Sequence, residues 1–157
     1  MKSDKNISFI EKLFATGFFT GYFPIAPGTF ASLLATIIFY FFFSNNLILS
    51  LVVILFFLLI GIWLANKFDN FYGDDPSIVT IDEFVGMWIS LLLLPINFKI
   101  YFLAFIIFRI FDIVKLWPAS YFDRKRSGKA IMFDDIVAGI FTNISIRFLI
   151  YIFPTLK

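Results

Sequence analysis

The stretch Leu47-Ile-Leu-Ser-Leu-Val-Val-Ile-Leu-Phe-Phe-Leu-Leu-Ile-Gly-Ile-Trp-Leu-Ala65 holds 19 residues and no charge. At 1.5 Å per residue, a helix of that length covers most of a hydrocarbon layer about 30 Å thick, so it predicts a membrane-crossing helix. Just before it, Ser44-Asn45-Asn46 reads as a turn, and Phe30 to Phe43 is a second uncharged run. The two runs predict a helical hairpin. Beyond a polar stretch from Asn66 to Glu83, apolar sequence resumes at Phe84 to Ile96, turns at Pro95-Ile96-Asn97 and returns through Ile100 to Phe111. A last run, Ile136 to Phe153, contains Arg147. The third and fourth runs fall short of the usual minimum of about 17 residues, so their helices must begin in polar sequence, thin the bilayer or insert partly. Ile7, Ile10, Phe14 and Phe18, with Lys5, Glu11 and Lys12 between them, suit an amphipathic surface helix rather than a cleaved signal peptide. The expected fold is all-α: a membrane-embedded bundle of four or five short apolar helices plus an N-terminal amphipathic helix, in one domain over 1–157.

Composition supports lipid as the solvent. The chain is 61% hydrophobic and 15% charged, against about 45–50% and 25% in a soluble domain. It contains no cysteine and no histidine, which excludes disulfides, thiolate zinc sites, cysteine nucleophiles and phosphohistidine intermediates. Any chemistry must run on carboxylates, lysine, arginine, hydroxyls and bound ions. A net charge of +2 does not indicate nucleic-acid binding.

Threading the runs as five crossings puts all 11 acidic residues on the N-terminal side, together with nearly all the basic ones. The other side keeps only Lys99 and Lys157. Because basic residues accumulate on the cytoplasmic side, the N-terminus and both long polar segments are expected in the cytoplasm.

Four polar motifs meet on that face. The first, Thr16-Gly17 through Pro24-Ile-Ala-Pro27-Gly28-Thr29, reads as a shaped turn into a helix. Thr29 could cap that helix or help to bind an anion at its N-terminus. The second, Asp74-Asp75-Pro76-Ser77 through Asp82-Glu83 and Gly86, places paired acids at a helix start. One acid suffices for capping, and a cluster repels itself unless a cation such as magnesium lies within it. Gly86 would let another helix approach closely. In the third, Arg109, Asp112 and Lys115 share a helical face ahead of Pro118. An ion-pair ladder is the ordinary explanation, but a charge in the bilayer costs roughly 2.5–3.5 kcal/mol, which favours function. In the fourth, Asp123-Arg124-Lys125-Arg126 precedes Phe133-Asp134-Asp135, where the acid pair of the second motif recurs at a helix start. Acids to hold a cation and bases to neutralise an anion, at one lipid interface, suit a phosphoryl group on a lipid.

Gly21-Tyr-Phe-Pro24-Ile-Ala-Pro27-Gly28-Thr29, Asp75-Pro76-Ser77-Ile-Val-Thr-Ile-Asp82-Glu83-Phe-Val-Gly86-Met-Trp88, Phe108-Arg109-Ile-Phe111-Asp112-Ile-Val-Lys115-Leu-Trp117-Pro118, and Asp123-Arg124 with Met132-Phe-Asp134-Asp135-Ile-Val-Ala138-Gly139 resemble, in order, the signature blocks of phosphatidylglycerophosphatase A. The resemblance implies an all-helical, magnesium-dependent phosphatase of the bacterial inner membrane. Such an enzyme removes the terminal phosphate of phosphatidylglycerophosphate to leave phosphatidylglycerol. It further implies Asp82, Glu83, Asp134 and Asp135 as metal-binding or water-activating carboxylates, and Arg109, Lys115 and Arg124 as phosphate-holding bases. Asp112 and Asp123 would bind metal or orient the bases. Three positions depart from the family's usual pattern: Leu116, where proline is usual; Ala31, where glycine is common; and Ser127 to Ile131, which is shorter and less glycine-rich. Two readings compete. A small transporter or channel component would carry ionisable groups near the midplane, which only Arg147 fits, and a noncatalytic scaffold would leave the acidic helix starts unexplained.

Overall fold

The computed structural model describes residues 7–73, 76–114 and 128–156, and every regular element among them is helical. Helix α1, Phe9–Ala15, opens with a capping box: the Ser8 hydroxyl accepts the Glu11 N–H while the Glu11 carboxylate accepts the Ser8 N–H. Glu11 also pairs with Lys67, whose ammonium holds the Glu11 carboxyl below its ordinary range. That pair fastens α1 to α3, Leu47–Tyr72. Between α1 and α2 the chain reverses through Phe18 and Phe19, both in left-handed backbone, and a 3-10 turn at Thr20–Tyr22.

Helix α2, Pro27–Ile38, continues as a π-helical turn, Phe39–Phe43. Its cap departs from expectation. Ala26, in left-handed backbone with no side-chain capping bond, precedes Pro27 at the first helical position. Thr29 lies inside the first turn, its N–H donating to the Ala26 carbonyl at 2.9 Å. The proline fixes the start three residues earlier than a threonine cap would.

The predicted turn at Ser44-Asn45-Asn46 is present, with the Asn46 side chain accepting the Leu49 N–H at 3.0 Å. Helix α3 then runs 26 residues, past Ala65 into the polar stretch, to Gly73 at φ +98°. Its outer face, including Leu51, Leu55, Leu59 and Trp63, is exposed, an apolar surface that suits lipid rather than water. The three later helices are α4, Ile81–Leu91, α5, Phe98–Val114, and α6, Gly128–Ile152. Helix α5 extends beyond its apolar run at both ends, whereas α4 and α6 begin earlier than theirs, in polar sequence, and α4 stops at Leu91, short of the end of its run. Among the described residues, α3 and the Ala130–Ile152 part of α6 are long and apolar enough to cross a membrane.

Helix α4 is the hub. Only its Glu83 and Ile89 are half-buried; its other residues are buried. The Trp88 indole N–H donates to the Ala35 carbonyl of α2 at 2.9 Å, and its ring meets Phe43, Phe57 and Phe84 edge-on. Against α6 the approach is closer still: a Cβ on Gly139 would lie 2.4 Å from the Gly86 carbonyl oxygen, and one on Gly86 would lie 2.6 Å from that of Asp135. Gly86 thus does what its residue type predicts, with Gly139 as its counterpart. Asp82 lies near Asp135, Gly86 near Gly139 and Ser90 near Asn143, so the two helices run parallel.

At 11 residues, α4 is about 16 Å long, and it ends before it could cross a bilayer. Its last carbonyls need donors. The Asn143 amide donates to the carbonyls of Ile89, Ser90 and Leu92, and Arg147 donates to those of Leu92 and Leu93 and to the Asn143 side chain. A cation at a helix C-terminus also complements the helix dipole. Arg147, the one charge that fitted an ion path, therefore serves as a cap. Asn143→Ala is expected to destabilise the protein by about 1–2 kcal/mol, read as a lower thermal midpoint in detergent.

Candidate active site

Because the helices alternate in direction, the starts of α2, α4 and α6 and the end of α5 meet at one end of the bundle. They enclose a cavity of about 240 Å³. Helix α2 contributes Pro27 and Gly28, the segment before α4 Ser77 and Val79, and α4 itself Asp82 and Glu83. Helix α5 adds Arg109 and Asp112, and α6 adds Ala130, Ile131, Asp134 and Asp135. Six of the ten residues singled out from sequence as site residues thus line one cavity. Thr29 does not line it, and Lys115, Asp123 and Arg124 lie outside the described residues, as do Asp74 and Asp75.

Asp82, Glu83 and Asp135 form the tightest group, each offering a carboxylate oxygen within 4.8 Å of the other two. Asp82 and Asp135 are 8% and 3% exposed. One oxygen on each residue of the trio, Asp82 Oδ1, Glu83 Oε2 and Asp135 Oδ2, is buried without any hydrogen-bond donor. Buried carboxylate oxygens are ordinarily satisfied, and three acids so close repel one another. An all-oxygen donor set in this condition fits a hard divalent cation.

The acid pairs are placed differently from the expectation of two facing helix starts. Asp82 and Glu83 do occupy the first turn of α4, where the dipole favours negative charge. Asp134 and Asp135 lie well inside α6, because that helix begins six residues earlier at Gly128. What brings Asp135 to Asp82 is the Gly86–Gly139 contact one turn further along.

Arg109 supplies the positive wall. Its Nη1 pairs with Asp112 Oδ2 at 2.6 Å, one helical turn away, and reaches the Ser32 hydroxyl of α2 at 3.4 Å. Its Nε is buried with no acceptor. Asp112 and Ser32 therefore hold the guanidinium in place while its Nε–H is left without an acceptor and available to an anion. Ser32 was not evident from sequence as a site residue. Its only signal is its position four residues after Gly28, on the same helical face, inside an apolar run.

Gly28 sets the distance between the walls. A Cβ there would lie 2.1 Å from Glu83 Oε1 and 3.1 Å from Arg109 Nη1. Gly28→Ala is expected to displace the Glu83 carboxylate and lower turnover at least tenfold while leaving the thermal midpoint within a few degrees. Steady-state kinetics beside a melting curve check both parts. Pro27 has no N–H and the Thr29 N–H is taken by the Ala26 carbonyl, so α2 contributes chiefly the positive end of its dipole, on the same side as Arg109.

Comparison with known proteins bears on this arrangement. Residues 13–150 match the sequence pattern of the family described as phosphatidylglycerophosphatase A. A Bacteroides thetaiotaomicron protein, provisionally named phosphatidylinositol-3-phosphatase, is 42% identical over 150 residues, covering 90% of this chain and 94% of its own length. The Escherichia coli protein named phosphatidylglycerophosphatase A is 39% identical over 131 residues, 82% of this chain and 76% of its own. A Haemophilus influenzae protein of that name is 36% identical over 143 residues, 87% and 88% of the two chains. No solved structure matches.

Proposed function

Since the chain belongs to the phosphatidylglycerophosphatase A family, we propose that it hydrolyses the terminal phosphomonoester of phosphatidylglycerophosphate, giving phosphatidylglycerol and inorganic phosphate. The supporting observation is the pairing, in one cavity, of three donorless carboxylate oxygens with a fixed guanidinium that still has a free N–H. Asp82, Glu83 and Asp135 would hold Mg²⁺, with Asp134 beside them. When bound, the ion would supply positive charge to the phosphoryl oxygens and make water more acidic.

The chain's own groups account for the remaining work. Arg109, held by Asp112 and Ser32, neutralises phosphoryl oxygens whose charge rises toward the transition state. Lys115 and Arg124 are assigned the same task, and Asp123 the orientation of those bases. One carboxylate of the group Asp82, Glu83, Asp134 and Asp135 orients the attacking water and takes its proton. Water oxygen bonds to phosphorus, the ester P–O bond breaks, and the departing glyceryl oxygen takes up a proton from solvent water, to which the carboxylate returns the one it accepted. Thr29, next to the cavity wall, would act through the α2 N-terminus rather than by direct contact.

The site opens at the charged end of the bundle, and the concentration of Lys and Arg there relative to the opposite end supports a cytoplasmic-facing site in a bacterial inner membrane. Transport is the weaker reading, because Arg147 is engaged at the α4 C-terminus. The test is phosphate release by purified protein with Mg²⁺, from phosphatidylglycerophosphate, phosphatidic acid and phosphatidylinositol 3-phosphate in mixed micelles. Fastest release from phosphatidylglycerophosphate is expected. Faster release from the inositol lipid would move the substrate toward that of the Bacteroides relative's name, and no release from any of them would overturn the assignment.

A further inference from the structure

The helix pair that carries Gly28 and Arg109 also bounds a second cavity. It is an apolar groove of about 350 Å³, lined by Leu33, Ile37 and Phe41 from α2 and its π-helical turn, and by Phe98, Phe102 and Phe105 from α5. Resting on the lipid-phosphatase reading above, we propose that this groove holds an acyl chain of the lipid whose phosphorylated headgroup occupies the acidic cavity.

Three observations carry this. The first is continuity along α5: Phe105, which lines the groove, lies one turn before Arg109 on the same helical face, and Arg109 lines the acidic cavity. A lipid whose phosphate sits on Arg109 would have its chains directed along that face toward the groove. The second is chemistry. The groove's Thr36 hydroxyl already donates to the Ser32 carbonyl at 2.8 Å, and the remaining walls are aliphatic or aromatic, so the groove offers a guest almost nothing polar. The third is length. From Leu33 to Phe41 the helix rises about 12 Å, and one leaflet's share of a hydrocarbon core is about 15 Å. The exposed outer face of α3 is as apolar, but no α3 residue lines the acidic cavity, so lipid there has no route to Arg109.

The groove would give the enzyme binding energy remote from the reacting phosphorus and would align the phosphate for attack. It would also make the enzyme prefer long-chain lipids over short-chain or deacylated analogues carrying the same headgroup.

The test compares dipalmitoyl and dibutyryl phosphatidylglycerophosphate as substrates for wild type, Leu33→Trp, Ile37→Trp and, as a control on the α3 face, Leu51→Trp. Two groove variants are used so that misfolding of one does not decide the result, and thermal midpoints are recorded for all. The groove variants are expected to lose about tenfold in kcat/KM on the long-chain substrate and little on the short one, with Leu51→Trp unchanged on both. Equal loss on both substrates, or no loss on either, overturns the proposal. A second readout is independent of turnover: phosphatidylglycerol with a photoactivatable diazirine near its acyl terminus is crosslinked to wild type and mapped by mass spectrometry. Labels concentrated on α2 and α5 support the groove, and labels spread equally over α3 overturn it. Absence of phosphate release by wild type from either substrate would instead sink the phosphatase assignment while the crosslinking pattern still decides the groove.

Discussion

Asp135→Asn should lower phosphate release by about a thousandfold or more while leaving the protein folded. The expectation comes from the three donorless oxygens at Asp82, Glu83 and Asp135. Converting one carboxylate to an amide removes a charge and a ligand at once, and loss of even an outer partner of a metal site costs 10- to 100-fold. Stability should move the other way in chelator. Without a cation the cluster is an uncompensated repulsion, so the variant should melt no lower than wild type, and above it if the repulsion dominates. Added Mg²⁺ should then raise the wild-type midpoint and leave the variant's nearly fixed, since a ligand stabilises only the state that binds it. Phosphate assays and melting curves with and without Mg²⁺ check both halves. Asp82→Asn should behave alike, because it removes an oxygen from the same group.

Gly139→Val should produce the largest loss of stability of any single change on the helix surfaces, about 3 kcal/mol or more. At this position even a first added carbon would meet the Gly86 carbonyl oxygen at 2.4 Å, and that oxygen is backbone, which cannot rotate aside. The helices must separate, and α4 is the element that all its neighbours pack on. Activity should fall further than the stability loss alone explains, because the same contact sets the distance from Asp82 to Asp135. Gly73→Ala is the control. Its Cβ would meet nothing within 4 Å, so the only cost is the backbone conformation, φ +98°, worth about 1–3 kcal/mol. Chemical unfolding in detergent micelles distinguishes the two.

Much of this was readable from residue order because membrane sequences carry strong signals. The uncharged run at 47–65 marked α3, and Asp82, Glu83, Arg109, Asp112, Asp134 and Asp135, which charge threading put on one side, line one cavity in the structure together with Gly28. What escaped depends on rotation and on where helices stop. Asp134 and Asp135 differ by one residue, about 100° around α6, and only packing against α4 selects Asp135 for the tight trio. The early start of α6 at Gly128 was hidden because its first turns carry Lys129 and read as loop. Ser32 and Asn143 looked like neutral polar residues in apolar runs. Their partners, the Arg109 guanidinium and the final carbonyls of α4, are 77 and 51–54 residues away in sequence. Arg147 looked like an intramembrane charge with a path to serve, because the sequence does not reveal that α4 ends after 11 residues and needs its donors.

The most direct measurement is Mn²⁺ binding, followed by electron paramagnetic resonance, to the purified protein stripped of metal, with Mg²⁺ as competitor. Saturable binding that Mg²⁺ displaces, and that disappears in both Asp82→Asn and Asp135→Asn, is the predicted result. Full phosphatase turnover in chelator, or Mn²⁺ binding that persists unchanged in both variants, would contradict it.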